Sequence, residues 1–119
     1  MAQHNELGKK GEDLAVDFLI KNHYQILRRN YRFEKAEVDI IAQKSGILVV
    51  VEVKTRATRD FGSPEEFLKP SQIQNIVKAV NEYVIENDIE LDIRFDVIAI
   101  VLDKNTMEIE HIEDAFYHF

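Results

Sequence analysis

The dipeptide Ser45-Gly46 joins two segments, residues 36–43 and 47–55, that are rich in valine and isoleucine. Such segments on either side of a short turn that contains glycine predict an antiparallel β-hairpin. A turn centred on this dipeptide places Asp39 opposite Glu52, and Glu37 opposite Lys54, on one face of the hairpin. Because side chains alternate along a strand, a three-residue loop would instead turn Asp39 to the other face.

The remaining elements are predicted from periodicity and turn residues. Residues 6–21 predict an amphipathic helix, and residues 71–86 predict a second helix that Ser71 caps. Strands are predicted at 24–33, 92–102 and, as a short last strand, 107–112, with a loop at 57–64 and a short helical turn at 65–68. The sequence therefore predicts a single domain over residues 1–119, an α/β fold of order α-β-β-β-α-β with helices flanking a central mixed sheet.

Composition restricts the class of protein. No apolar run approaches the roughly 18–20 residues of a membrane span, and the first residues lack the apolar core of a signal peptide. The chain contains no cysteine, which excludes disulfides and thiolate metal sites and suits a cytoplasmic protein. We therefore expect a cytoplasmic location and no membrane partner.

The net charge of −7 is unevenly distributed. Residues 1–60 contain 11 Lys/Arg and 9 Asp/Glu, a net charge of +2, whereas residues 61–119 contain 4 and 13, a net charge of −9. Such asymmetry indicates a charged partner, although a solvated acidic helix face explains the second half equally well.

Two groups of arginines are candidates for nucleic-acid contacts. Arg28, Arg29 and Arg32 form the densest cationic segment, which suits contacts to phosphates or, equally, a charge-protected edge strand. Arg56 and Arg59 continue the positive charge beyond Lys54, which suits either a phosphate-rich ligand or solubility alone.

The opposed acids at positions 39 and 52 predict a divalent cation site. Two carboxylates about 5 Å apart repel by roughly 3 kcal/mol at an effective dielectric near 20, and a hard cation such as Mg²⁺ relieves that repulsion. Lys54 could then orient a water or stabilise charge on a phosphoryl group. Glu12, at the edge of the first helix's apolar face, points either to the sheet or to solvent. The alternative is an ordinary cross-strand ion pair between Glu37 and Lys54.

Other site chemistries are not indicated. The four histidines are scattered along the chain and match no zinc-ligand spacing. The sequence contains no glycine-rich nucleotide-binding motif, no Walker A motif and no Gly-x-Ser-x-Gly elbow. The carboxylate pair therefore has no rival as a candidate centre.

The spacing of Asp39, Glu52 and Lys54 resembles the PD-(D/E)XK signature of restriction-endonuclease-like nucleases. More narrowly, the chain resembles the YraN family of small bacterial proteins predicted to be endonucleases. This resemblance rests on four segments, GKKGE at 8–12, YQILRRNYR at 24–32, EVDIIA at 37–42 and VEVKTR at 51–56. Ala36 stands where the YraN family usually has glycine, and Val38 stands where the general PD-(D/E)XK signature has proline. Neither departure removes an active-site group.

The resemblance implies a three-layer restriction-endonuclease-like core and a role for each site residue. Asp39 and Glu52, with the Val53 carbonyl, would hold Mg²⁺ or Mn²⁺, and Lys54 would act on the attacking water. Glu12 would complete the site from the first helix, as in archaeal Holliday-junction resolvases. Glu37 and Gln72 are expected to support these residues without direct ligation.

The function implied is a metal-dependent endonuclease that acts on nucleic acid, with DNA as the expected substrate and a homodimer as the expected assembly. The rival interpretation is a nucleic-acid-binding or complex-assembly protein that keeps the nuclease fold without turnover.

Overall fold

The computed structural model describes residues 6–57 and 68–116. Its elements in chain order are α1 (Glu6–Lys21), β1 (Gln25–Phe33), β2 (Ala36–Lys44), β3 (Ile47–Arg56), α2 (Pro70–Glu86), β4 (Asp92–Leu102) and β5 (Met107–Ile112). The α/β class, the predicted order and the short last strand are confirmed. The predicted helical turn at 65–68 and most of the predicted loop at 57–64 lie outside the described residues.

A single five-stranded sheet has the order β1-β2-β3-β4-β5. β3 and β4 are parallel and the other neighbours are antiparallel, so α2 lies in the crossover between the two parallel strands. The β2–β3 hairpin pairs Lys44 with Ile47, which confirms the predicted two-residue turn. Ser45 and Gly46 have φ values of 52° and 78°, as a two-residue hairpin with right-handed strand twist requires.

Each face of the sheet carries one helix and one apolar cluster. The α1 face buries helix residues Ala15 and Leu19 against strand residues that include Ile40, Val51 and Ile98. The α2 face buries helix residues Ile76, Val80 and Tyr83 against strand residues that include Val38, Val50 and Phe95. Helix, sheet and helix thus form three layers. In the two described ranges, no helix combines the length and the apolar character that crossing a bilayer requires.

A buried ionic cluster, which we call the Asp96 cluster, joins β4 to the start of β1 and to the segment after β5. Asp96 is 0% exposed. Its carboxylate accepts hydrogen bonds from Arg94 Nε at 2.9 Å and Nη2 at 2.8 Å and from the Asp114 N–H at 3.0 Å, and it lies 2.7 Å from His111 Nε2. Arg94 also donates to the Tyr24 hydroxyl at 2.8 Å. Burial favours the protonated acid, but these contacts outweigh it and hold the pKa of Asp96 below its usual range.

Gly11 lies where α1 approaches the sheet closely. A Cβ at this position would overlap the Thr55 side chain on β3, so a larger residue forces the helix away from the strand. Gly11→Ala should therefore lower the free energy of unfolding by about 1–3 kcal/mol. In an open helix position the same change would stabilise the fold by about 1 kcal/mol. The sign of the change in the free energy of unfolding, measured by urea denaturation, therefore shows whether α1 packs closely against β3 at Gly11.

Thr55→Ala provides the control for this expectation. Removing Oγ1 and Cγ2 leaves only Cβ in the way, so Gly11→Ala should cost less in the Thr55→Ala background than in the wild type. A Gly11→Ala protein as stable as the wild type would show that α1 does not need this close approach.

Candidate active site

The alternation of faces along β2 breaks at Asp39. Val38 packs in the cluster on the α2 face, whereas Ile40 packs in the cluster on the α1 face. Residues two apart in a regular strand share a face, so the backbone of β2 is irregular at Asp39. The paired residues of the β2–β3 hairpin end at Ile40 and Val51. The irregular backbone therefore lets the Asp39 side chain reach the backbone of β3.

Asp39 and Glu52 each accept a backbone hydrogen bond from the opposite strand at the open end of the hairpin. The Asp39 carboxylate accepts the Val53 N–H at 2.8 Å, and the Glu52 carboxylate accepts the Asp39 N–H at 3.3 Å. Each acid thus binds the backbone of the opposite strand, at or beside the other acid. The two acids thus lie at neighbouring positions of adjacent strands, just beyond the last residues that the hairpin pairs.

Burial raises the pKa of both acids. The pKa of Asp39 rises to about 7 mainly because its carboxyl is desolvated; the hydrogen bond from Val53 opposes the rise and the negative charge of Glu12 adds to it. Glu52 is 7% exposed, and desolvation, followed by the charge of Asp39, raises its pKa well above the usual range. No Lys, Arg or His within residues 6–57 or 68–116 forms an ion pair with either acid.

Lys54 lies two residues after Glu52 on β3, and its positive charge acts to lower the pKa of both acids. In the described part of the chain, no acid forms an ion pair with its ammonium. Glu37 instead places Oε2 3.8 Å from Nε of Arg32 on β1. The alternative of a Glu37–Lys54 ion pair is therefore not observed, and Lys54 remains available to a ligand.

Glu12 on α1 faces the sheet and is 7% exposed. Its two carboxylate oxygens accept hydrogen bonds from Asn30 Nδ2 at 3.1 and 3.2 Å, and Oε1 also accepts one from Arg29 Nη2 at 3.3 Å. Its negative charge contributes to the raised pKa of Asp39, which shows that the two carboxylates lie in one region. The orientation that the sequence left open is thus toward the sheet.

The carboxylates of this site meet the needs of a divalent cation only in part. Among the residues described, no group of three or more His, Cys, Asp or Glu side chains is arranged to hold a metal ion. Asp39 and Glu52 nevertheless fit one chemically, because desolvated carboxylates that form no ion pair with a described residue are the oxygen ligands that hard cations prefer. Glu12 is turned to Asn30 and Arg29, so the acids that fit a cation are a pair.

Two of the predicted phosphate-binding arginines are engaged within the protein. Arg29 forms an ion pair with Asp13 at 2.8 Å in addition to its contact with Glu12. Arg28 lies over the ring of Tyr31, with the guanidinium carbon 5.0 Å from the ring centroid. Within the described residues Arg28 forms no ion pair, so of these two arginines it is the one whose charge is not already paired.

The other predicted arginines have different surroundings. Arg32 is exposed beside Glu37, and Arg56 donates from Nη1 to the Thr55 carbonyl at 2.9 Å. Arg59 lies outside the described residues.

Gln72 is placed at the start of α2, where its side chain is exposed and Oε1 accepts the Lys69 N–H at 2.9 Å. This hydrogen bond caps the helix. No hydrogen bond joins Gln72 to Asp39 or Glu52, so its described role is structural.

Sequence reasoning missed Asn30 and the Asp96 cluster, although both left a signal. Asparagine is unfavourable inside a strand but tolerates positive φ, and Asn30 has a φ of 51°. Asp96 is an acid within a strand predicted to be buried, and Arg94 two residues earlier shares its face. Both signals concern polar residues inside strands, which require a partner when they are buried.

The chain is similar over most of its length to proteins of one family. A profile of the uncharacterised protein family UPF0102 matches residues 11–100. A UPF0102 protein of Flavobacterium psychrophilum is 64% identical over 119 residues, which cover 100% of both chains. One of Christiangramia forsetii is 57% identical over 119 residues, again 100% of both chains. One of Phocaeicola vulgatus is 43% identical over 117 residues, 98% of this chain and 97% of the relative.

Proposed function

Since the chain belongs to the uncharacterised protein family UPF0102, we propose its function from the site itself. The proposed activity is metal-dependent hydrolysis of phosphodiester bonds in nucleic acid, with DNA as the substrate. One observation carries it: the Glu52 carboxylate accepts the Asp39 N–H and the Asp39 carboxylate accepts the Val53 N–H, and no cation within the described ranges forms an ion pair with either acid. Two such acids destabilise a fold that has no use for them, whereas they would bind a divalent cation.

The roles follow from the donors present. Asp39 and Glu52, with the Val53 carbonyl, would hold Mg²⁺ or Mn²⁺. When bound, the cation would neutralise the two carboxylates and stabilise negative charge at the phosphate. Lys54, whose ammonium has no described ion-pair partner, would donate a hydrogen bond to the attacking water and hold it in line with the bond that breaks.

The reaction transfers a phosphoryl group to water. The water oxygen forms a bond to phosphorus, the bond from phosphorus to the 3′ oxygen breaks, and that oxygen takes up a proton while the water loses one. The products carry 5′-phosphate and 3′-hydroxyl ends, as the resemblance to the PD-(D/E)XK nucleases and the YraN family implies. A cytoplasmic homodimer would let two such sites cut paired strands.

A second function is a nucleic-acid-binding or complex-assembly protein without turnover. Two observations favour it: Glu12 is bound to Asn30 and Arg29, and no group of three metal-ligating side chains occurs in residues 6–57 and 68–116. Cation binding and cleavage are therefore tested separately.

Mn²⁺ should raise the melting temperature of the metal-free protein. At a concentration tenfold above its dissociation constant, a ligand of the folded state stabilises by about 1.4 kcal/mol, which corresponds to roughly 3–6 °C for a domain of this size. Asp39→Asn should abolish the response, while Glu110→Gln, which alters an exposed acid on β5, should retain it. A wild-type protein that does not respond to Mn²⁺ or Mg²⁺ would exclude the proposed site.

Turnover is tested by a cleavage screen on single-stranded, nicked, branched and duplex DNA and on RNA, with Mg²⁺ or Mn²⁺ and with EDTA. We expect metal-dependent cleavage that Lys54→Ala eliminates while nucleic-acid binding remains measurable. Cleavage that survives in Lys54→Ala would assign the activity to another site or a contaminant. A metal-responsive protein that cleaves none of these substrates would establish the second function instead.

A further inference from the structure

We propose that Asn30 is a positioning residue: its side-chain amide holds the charged Glu12 carboxylate beside the Asp39–Glu52 pair and thereby raises the affinity of that pair for a divalent cation. This inference rests on the proposed function and adds a residue to which no role was assigned from the sequence. Asn30 does not itself ligate the cation in this scheme.

The backbone of β1 is irregular at Asn30. Arg29 contacts Glu12 and Asp13 on α1, whereas Tyr31 packs in the cluster on the α2 face. Because residues 29 and 31 of a regular strand would share a face, the alternation of β1 breaks at Asn30, where φ is 51°. Asparagine is one of the few residues that adopt this conformation readily.

The irregular positions of β1 and β2 lie next to each other in the sheet. β1 and β2 pair Arg29 with Ile40 and Tyr31 with Val38, so Asn30 lies beside Asp39, where the alternation of β2 also breaks. Neighbouring strands therefore each break their alternation of faces at the same level of the sheet. One of these residues aims a carboxylate at β3, and the other aims an amide at α1.

Asn30 binds the Glu12 carboxylate without adding a positive charge. Both oxygens of Glu12 accept from the one amide nitrogen of Asn30, at 3.1 and 3.2 Å, so a neutral group satisfies the buried acid without cancelling its charge. Arg29 contributes one longer contact of 3.3 Å and forms its shorter ion pair, at 2.8 Å, with Asp13. Glu12 therefore keeps a negative charge near Asp39, which attracts a cation into the site.

The test uses the full chain and Mn²⁺ alone, and the measured quantity is the midpoint of Mn²⁺ binding in isothermal titration calorimetry. Asn30→Gly keeps the backbone conformation and removes the amide, so we expect this midpoint to rise by about 10-fold or more. Ser45→Gly is the matched control, because Ser45 has a φ of 52° in the hairpin turn and its midpoint should equal that of the wild type. Asn30→Ser, whose hydroxyl is too short to bind both oxygens, should repeat the shift.

Glu12→Gln separates positioning from a general structural effect. If Asn30 acts through Glu12, Glu12→Gln alone should raise the midpoint, and adding Asn30→Gly to it should change nothing further. An unchanged midpoint in Asn30→Gly, or an equal extra shift in the Glu12→Gln background, would overturn the inference and leave the proposed function intact. A wild-type protein with no Mn²⁺ response would overturn both.

Discussion

Glu52→Gln should yield a protein that is more stable than the wild type without metal and that cleaves nucleic acid at least about 10³-fold more slowly. The gain in stability comes from removing one of two like charges in a desolvated setting, an effect on the order of 1–3 kcal/mol. The loss of cleavage comes from removing an oxygen ligand of the cation. Opposite effects on stability and activity are typical of groups that a fold retains for function.

The pH dependence follows from the raised pKa values. An acid whose pKa is higher in the folded state than its unfolded value near 3.9 stabilises the fold fully at low pH, and this contribution is lost as pH rises through the folded pKa. For Asp39 that loss extends from the unfolded value near 3.9 up to the folded pKa of about 7. The advantage of Glu52→Gln over the wild type in EDTA should therefore be larger at pH 8 than at pH 5.

Urea denaturation in EDTA at pH 5 and pH 8, with cleavage assays in Mn²⁺, measures both effects. Glu110→Gln is the control for neutralising an exposed acid. If Glu52→Gln were less stable than the wild type at pH 8, the carboxylate would be a satisfied structural group; if cleavage were unchanged, Glu52 would not belong to the site.

Asp96→Ala should destabilise the fold by about 3–5 kcal/mol, the usual cost of leaving a buried charge without its partner. The substitution would leave Arg94 and the Asp114 N–H without their acceptor in the Asp96 cluster. Because the pKa of Asp96 is lowered, its contribution is present above the unfolded value near 3.9 and is lost as pH falls below it. The difference from the wild type should therefore be full at pH 7 and shrink toward pH 3.

Urea denaturation at pH 7 and at pH 3 tests this expectation, and Asp92→Ala, at the exposed start of the same strand, is the control. Asp92→Ala should change the free energy of unfolding by less than about 1 kcal/mol. An Asp96→Ala protein with the stability of the wild type would show that the cluster only offsets its own cost of burial.

The sequence predicts the scaffold of the site better than its details. Ser45-Gly46 determines the hairpin register, because two residues with positive φ are what a tight hairpin needs, and that register brings Asp39 to Glu52. Periodicity likewise predicts α1, and a continuous apolar run predicts β4. These features depend on near neighbours in the chain or on a strong pattern.

The break at Asn30 and Asp39 could not be predicted, because it depends on two strands becoming irregular at the same level. Whether Glu12 faced the sheet or solvent was equally undetermined, since its partner Asn30 lies 18 residues away. The arginines were predicted from charge alone, which does not show that Asp13 and Tyr31 already contact two of them. Long-range partners of polar side chains are what the sequence leaves open.

The Asp96 cluster also bears on how this chain folds during synthesis. Asp96 leaves the ribosome before its partners His111 and Asp114, which follow it by 15 and 18 residues, while Tyr24, the partner of Arg94, precedes that arginine by 70. Until the C-terminal strand arrives, the nascent chain carries an acid that only its neighbour Arg94 can neutralise. We therefore expect the central sheet to close late in translation, after β5 has emerged, and nascent chains that stop short of it to remain open to proteases.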